Sequence, residues 1–596
     1  METIELEKFI RQKHLGDKEQ IDFIFSNDNK IIVTAPAGCG KTTAMVSKIA
    51  RELSEGRIPS NKKVLAMTFS VNAAMKIKDS LKSLLPELVK NPQQIIKKID
   101  IANYHNFAMR ILAKYGYYLN QELTKLPDFK IVNENSSVIK YYITEEERKV
   151  LEKVSIAIEN SDRASLDEKI SSYWNILNNK LITNHIITYN GILISVIKLL
   201  QSKEIEVSNF YKQYYHMIII DEFQDTNLLG FLLIKKLINN NMLILLGDDV
   251  QKIYGFLGAM DELFHIINKK DDFAEIKFHN NYRFSQNKRM KDLDLFIRDC
   301  AENYSSSQLK ASVLVKQFDN CQKEDTFIVD GISKILSVTN NKVAILLRVS
   351  SYGNSIAKQL DQKGISYFNF LFKEKDDEFL KFYSVALEEF CSIDSNKAVQ
   401  SNLKKCLKAI KSREKEIYTD LDKKFIFDAL YELLEILFVE SKKWQGTSKD
   451  KYDNIRFILE NKSLKHMMEF INKKVILTTI HAAKGLEWDY VIIPKFNDFI
   501  FPTSHMCKLC QNIKSYNQGL NYCNFLYEDS IKRKFKEELS IFYVAVTRAK
   551  KEVFITATIG KDERGIQKRS SCLLNLNGLT KEDYNWKDIF NDERKK

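Results

Sequence analysis

Eight residues, Ala35-Pro36-Ala37-Gly38-Cys39-Gly40-Lys41-Thr42, have the composition of a phosphate cradle. Glycines let main-chain N–H groups converge on an anion, and a helix starting at Lys41 would add its positive end. In such a loop the lysine neutralises the β- and γ-phosphates of ATP and the Thr42 hydroxyl ligates Mg²⁺. Ala35 replaces the first glycine of the general pattern, and a glycine-rich turn with a chance Lys-Thr is the plain alternative. A second pair, Asp221-Glu222, follows the apolar run Ile218-Ile219-Ile220. A carboxylate at the end of a strand can hold Mg²⁺, and its neighbour can orient and deprotonate the attacking water. Alone, the pair also reads as an acidic strand cap; with the loop, it reads as the hydrolytic half of one site.

The elements that must position these groups are short apolar runs. Ile31–Val33, Val64–Met67, Met217–Ile220, Met242–Leu246, Val343–Leu347, Val475–Leu477, Val491–Ile493 and Val553–Ile555 are each bounded by loop or helix signals. Continuous apolar strands alternating with helices imply parallel sheets covered on both faces. There are enough runs for two sheets, so the expected class is α/β. Residues 111–205 and 376–469 lack such runs and carry Leu, Ile, Lys and Glu at helical spacing, which predicts two mainly helical insertions. The length, 596 residues, points to several domains. Seven Pro and 19 Gly are few for that length and argue against long structureless linkers. The formal net charge of +13 permits contact with phosphate backbones, or equally reflects lysines spread over solvated faces. No apolar run reaches the length of a membrane span. The start, Met1-Glu2-Thr3-Ile4-Glu5-Leu6-Glu7, is acidic where a signal peptide is basic, so a cytoplasmic location and no membrane partner are expected.

Asp221-Glu222-Phe223-Gln224-Asp225-Thr226 resembles motif II of UvrD/Rep/PcrA-type superfamily 1 DNA helicases. The other motifs stand in order around it. Thr68–Ala74 resembles motif Ia, Gly247–Tyr254 motif III, Asn281-Tyr282-Arg283 motif IV, His481–Trp488 motif V and Tyr543–Lys550 motif VI. The match runs from about residue 15 to 560.

This resemblance implies two RecA-like motor domains with ATP between them. The first would comprise residues 1–110 and 206–280, interrupted by the insertion at 111–205. The second would comprise 281–375 and 470–596, interrupted by a reduced insertion at 376–469. Lys41, Thr42, Asp221, Glu222 and Gln251 would come from the first domain, and Arg283 and Arg548 would act from the second as arginine fingers. Gln20 stands at the place of the adenine-reading glutamine, Tyr282 would stack on adenine, and Glu487 would meet the ribose.

The resemblance further implies a 3′-to-5′ translocase or helicase acting on single-stranded DNA, or on DNA with a single-stranded tail. Its DNA track would stack bases on Phe69, Tyr254 and Phe256, with Asn72, His105 and His481 as polar contacts. Two departures stand out: Thr43 and Leu257 occupy places where relatives carry arginine, which removes cations from the coupling region. The short second insertion implies strong translocation and weak unwinding by the chain alone. It also leaves open a second reading, an ATP-gated DNA sensor in an antiviral defence assembly with a nuclease or repair protein as partner. His505, Cys507, Cys510 and Cys523 form a candidate zinc knuckle, the alternative being reduced thiols in a loop.

Overall fold

The computed structural model describes residues 3–68, 71–88, 92–202, 206–252, 273–303, 307–373, 376–394, 400–444, 447–460, 462–503, 529–560 and 568–591. The chain forms two compact units, residues 1–282 and 283–596.

The described strands of the first unit are β1 (Lys30–Thr34), β2 (Lys63–Met67), β3 (Ile99–Ala102), β4 (Lys130–Val132), β5 (Ile186–Thr188), β6 (Tyr215–Ile220), β7 (Met242–Gly247) and β8 (Ala274–Lys277). Six of them make one sheet in the order β3-β2-β6-β7-β1-β8, parallel throughout. The apolar runs are continuous because both faces are covered. Ile31, Val33, Met217, Ile219, Ile244 and Leu246 enter one core, and Ile32, Ile218, Ile220, Leu243 and Leu245 enter the other. The helix Lys41–Ser54 lies on the first face and buries Met45, Val46, Ile49 and Ala50.

The core on the second face runs without a break into residues 111–205. Leu123, Leu126, Tyr173, Leu177 and Leu181 belong to the same cluster as the β6 isoleucines. The helix Tyr189–Gln201, apolar nearly all round, lies inside it, as an all-apolar helix must. The stretch is mainly helical, but it also holds a parallel pair, β4 with β5. Three-residue strands are too short to show a period of two, so no residue pattern marks them.

The second unit adds β9 (Ala311–Phe318), β10 (Val343–Leu347), β11 (Phe368–Phe370), β12 (Val475–Thr479), β13 (Trp488–Ile493), β14 (Ala549–Thr558) and β15 (Leu579–Glu582). They form a parallel sheet in the order β11-β12-β10-β13-β14-β9-β15. The chain leaves this sheet after β11 and returns at its neighbour β12. Between them the described residues are helical, with Phe382, Phe427, Leu430 and Leu433 buried. The fold is therefore α/β with two large parallel sheets.

One close approach ties the last described helix, Trp586–Asn591, to this sheet's cover. The Trp586 ring stacks on Phe327 at 5.2 Å, and its Nε1 donates to the Phe327 carbonyl at 2.8 Å. A Cβ at Gly331 would lie 2.0 Å from Trp586 Cε2. Gly331→Ala must therefore displace an indole whose N–H is already committed. We expect a loss of about 1–3 kcal/mol in urea unfolding, the usual cost of overpacking, with altered tryptophan emission. An unchanged midpoint would mean that Trp586 does not dock there.

Candidate active site

β1 ends at Thr34 and the cradle follows at once. Gly38 (φ +82°) and Gly40 (φ +73°) have left-handed backbones that other residues adopt only with strain. Gly40 is also the N-cap of the helix Lys41–Ser54, and a Cβ there would stand 2.8 Å from Gln20 Nε2. Glycine is thus required at position 40 by both conformation and space. Lys41 and Thr42, both half-buried, occupy the first turn, where main-chain N–H groups and the helix dipole favour an anion. Thr43 faces solvent.

Lys41 Nζ donates to Glu222 Oε1 at 2.6 Å and lies 3.5 Å from Asp221 Oδ1. β6 delivers both carboxylates, since Asp221 follows directly on Ile220. Glu222 adopts a left-handed backbone, φ +54° and ψ +42°, unusual for a residue with a Cβ. Its side chain is held by Lys41 and by the Gln224 amide, and the Gln224 Oε1 accepts from the Asp248 N–H at 3.0 Å. Gln251 Nε2 donates to Asp248 Oδ2 at 2.8 Å. Motifs II and III are thereby joined by one chain of hydrogen bonds.

Burial pushes the Asp221 carboxyl up to about 6, against the pull of Lys41. Burial alone would lower the Lys41 ammonium, but the attraction of Glu222 and Asp221 outweighs it and raises it above the ordinary lysine value. The donors fit Mg²⁺. Thr42 supplies a hydroxyl and Asp221 a carboxylate, both hard oxygen donors, and the buried carboxyl pushed upward is one that a divalent cation would return to its charged form.

Gln20 is fixed on the back of the cradle. Its Nε2 donates to the Cys39 carbonyl at 2.9 Å, and its Oε1 meets the His14 ring, whose Nε2 pairs with Ser47 Oγ at 2.8 Å. Asp17 caps Gln20's helix at 3.1 Å and accepts from the Tyr282 hydroxyl and from Asn280. Burial opposes ionisation of Asp17, yet these donated bonds hold its carboxyl below the usual range. The Tyr282 N–H donates to the Gly38 carbonyl at 3.0 Å, and Asn281 Nδ2 to the Ala37 carbonyl at 3.1 Å. Gln20 and Tyr282 thus meet the same loop. No residue pattern marks His14, Ser47 or Gln224 as partners of the cradle, whereas Asp17 is legible as a capping residue three positions before Gln20.

His105 lies half-buried beside Tyr189, ring edge to face at 5.8 Å, and burial pushes it down to about 4. Its neighbour Tyr104 hydrogen-bonds the Thr226 hydroxyl at 2.8 Å, linking that helix to motif II. Asn72 stands in the helix Val71–Leu88, its side chain outside the described residues. Phe69, Tyr254, Phe256 and Leu257, and the cluster His505, Cys507, Cys510 and Cys523, also lie outside the described residues.

The second unit groups its own motif residues. Arg283 donates to the Glu487 carboxylate and to the Thr547 carbonyl. Arg548 is buried, with Nε on the Val544 carbonyl at 3.0 Å, Nη1 on the Leu486 carbonyl at 3.2 Å and Nη2 on Thr547 Oγ1 at 3.1 Å. Motifs IV, V and VI therefore share one cluster. His481 follows β12, half-buried, and burial with the nearby Arg348 and Lys484 pushes it down to about 4.

A glycine-bent cradle opening a helix, with paired carboxylates at the end of a parallel strand reaching its lysine, defines a P-loop nucleotide hydrolase. The UvrD/REP helicase N-terminal domain family matches residues 17–274, and the UvrD-like helicase C-terminal domain family matches residues 378–559. Together they take in most of the chain, which belongs to the UvrD/Rep family of ATP-hydrolysing DNA helicases. A probable DNA helicase II homolog of Mycoplasma capricolum is 24% identical over 97% of this chain and 89% of the relative. The ATP-dependent DNA helicase Rep of Buchnera aphidicola is 25% identical over 98% of this chain and 99% of its own length.

Removing Lys41 leaves two carboxylates near one another without their cation. Lys41→Ala should cost about 3 kcal/mol of stability at pH 8, as breaking a buried pair does. Without Lys41, the Asp221 carboxyl rises above its value of about 6, while the unfolded group stays near 3.8. The folded chain then holds a proton that the unfolded chain lacks, so stability falls as pH rises through that window. The loss should be smaller at pH 5 and be offset at pH 8 by adding Asp221→Asn. Equal losses at both pH values, with no rescue, would contradict the assigned pairing.

Proposed function

We propose that the chain hydrolyses Mg²⁺-bound ATP at Lys41, Asp221 and Glu222, and uses each turnover to step 3′ to 5′ along single-stranded DNA. The observation that carries this reading is the Lys41 ammonium held against both carboxylates. ATP binding would transfer that ammonium to the β- and γ-phosphates. Thr42 and Asp221 would hold Mg²⁺, and Glu222, released from Lys41, would take the proton of the attacking water. Gln224 keeps Glu222 oriented and carries its position to Asp248 and Gln251.

Arg283 and Arg548 would stabilise the charge of the transition state. Each is now occupied by oxygen acceptors of its own unit, so each must exchange these for phosphate oxygens. That exchange supplies a two-state element that nucleotide can bias. Gln20 and Tyr282 would read adenine, and Glu487 would meet the ribose. His105 and His481 are neutral at physiological pH, which suits uncharged contacts in a track that tolerates any sequence. Phe69, Asn72, Tyr254 and Phe256 complete this proposed track. The short second insertion is assigned weak unwinding by the chain alone; the cysteine cluster is a candidate zinc site, the alternative being reduced thiols in a loop, and metal analysis of the purified protein is the check.

Hydrolysis with and without single-stranded DNA tests the reading on wild type, Lys41→Ala and Glu222→Gln. Wild type should be strongly stimulated by DNA. Glu222→Gln should bind ATP and lose about 10²–10⁴-fold in kcat, the usual contribution of a general base. Turnover indifferent to DNA, or near-normal turnover by Glu222→Gln, would sink it.

A further inference from the structure

The opposite edge of the first unit's sheet carries a second feature that the ATP site does not use. β2 and β6 begin there, at Lys63 and Tyr215, while the active-site carboxylates follow the other end of β6. At a rise of about 3.3 Å per residue, β6 separates the two ends by about 17 Å. Along this edge aromatic rings alternate with cations. Lys63 Nζ lies over the Tyr214 ring at 5.6 Å, and Tyr214 stacks on Phe210 at 5.1 Å with an interplanar angle of 21°. Lys114 Nζ lies 5.3 Å from the Phe210 ring and 5.0 Å from that of Tyr115. Two further rings follow in the chain, Tyr117 and Tyr118, paired at 4.2 Å.

Three properties distinguish this strip from ordinary surface. Large rings are open to solvent: Phe210 is 41% exposed, Tyr117 39% and Tyr118 51%. The platform is also anchored. Buried Tyr211 meets Tyr115 at 6.2 Å and Phe210 at 5.1 Å, and stacks on Tyr215, whose hydroxyl donates to Asp100 at 2.9 Å. Finally, Arg110, Lys114 and Lys212 have no carboxylate within ion-pair reach among the described residues. Lys63 does, pairing with Asp100 at 3.0 Å.

Anchored, exposed rings interleaved with uncompensated cations are what single-stranded nucleic acid requires. Bases stack on ring faces, and cations replace the counterions of the phosphates. We propose that this edge is a second, sequence-tolerant binding strip for single-stranded nucleic acid, separate from the track that drives turnover. It would hold a flanking part of a long strand while the motor works on another part. The inference does not depend on ATP hydrolysis, because binding to the strip can be read without nucleotide.

The test compares the full chain with the variant Arg110→Gln/Lys114→Gln/Lys212→Gln and, separately, Tyr118→Ala, each checked by circular dichroism. Labelled oligo(dT), one strand short enough for a single site and one long, is titrated without nucleotide over a range of salt. The triple variant should bind the long strand about tenfold more weakly, and its log–log salt slope should fall by about 2, from about 0.7 per cation lost. Tyr118→Ala should weaken long-strand binding with the slope unchanged. Hydrolysis stimulated by the short strand should stay at the wild-type level in both. Long-strand affinity and salt slope equal to wild type would overturn the proposal, whatever else binds this edge. Absence of short-strand stimulation in wild type would instead count against the motor reading.

Discussion

One ammonium group, Lys41 Nζ, stands between the phosphate cradle and the end of β6, and the chemistry of the first unit is arranged around its charge. A lysine at the start of a helix meets an unfavourable dipole and, here, partial burial. Asp221 and Glu222 compensate it, and it in turn lets two adjacent carboxylates be held together out of bulk water. Neither side is at rest without the other. A group with several negative oxygens and its own divalent cation can take both roles at once, with phosphate for Lys41 and metal for the carboxylates. The arrangement of these three groups suits such a ligand, and the left-handed backbone at Glu222 fits a position over-determined by its neighbours.

The sheet makes this possible by direction. All strands of a parallel sheet end on the same edge, so the cradle after β1, the carboxylates after β6 and Asp248 after β7 arrive together although they are far apart in sequence. β7 lies between β1 and β6, which is why motif III reaches motif II through Gln224. In the second unit, the loop after β12 and the turn between the helix Asp529–Val546 and β14 draw motifs V and VI to Arg283. Each unit thus assembles its own half of the motif set by strand order alone.

Much of this was legible in the residues. The eight quoted apolar runs lie in strands, because a strand buried on both faces needs apolar residues at every position. The strands that escaped are those without this constraint. β3, β8 and β15 are edge strands with mixed composition, β11 and the insertion's β4 and β5 have three residues each, and β9 ends in Lys316-Gln317-Phe318. Within the site, Lys41, Asp221 and Glu222 come together as their chemistry required. What sequence could not give was the partner of each group. The side chain of Gln20 is engaged by His14 and Cys39, and Arg548 is turned onto main-chain carbonyls. Such hydrogen bonds depend on three-dimensional neighbours and leave no periodic trace. The ring-and-cation edge was hidden for the same reason, since its residues come from β2, the helix Tyr104–Tyr115 and the helix Val207–Tyr214.

The most direct measurement of the whole account is stopped-flow arrival kinetics on oligo(dT) strands of increasing length, labelled at one end and started by Mg²⁺-ATP. With the dye at the 5′ end, the delay before the signal should grow in proportion to strand length. With the dye at the 3′ end, no length-dependent delay should appear, and Glu222→Gln should give neither signal. Delays that are independent of length in both orientations would contradict a chain that converts hydrolysis at Lys41, Asp221 and Glu222 into directed movement.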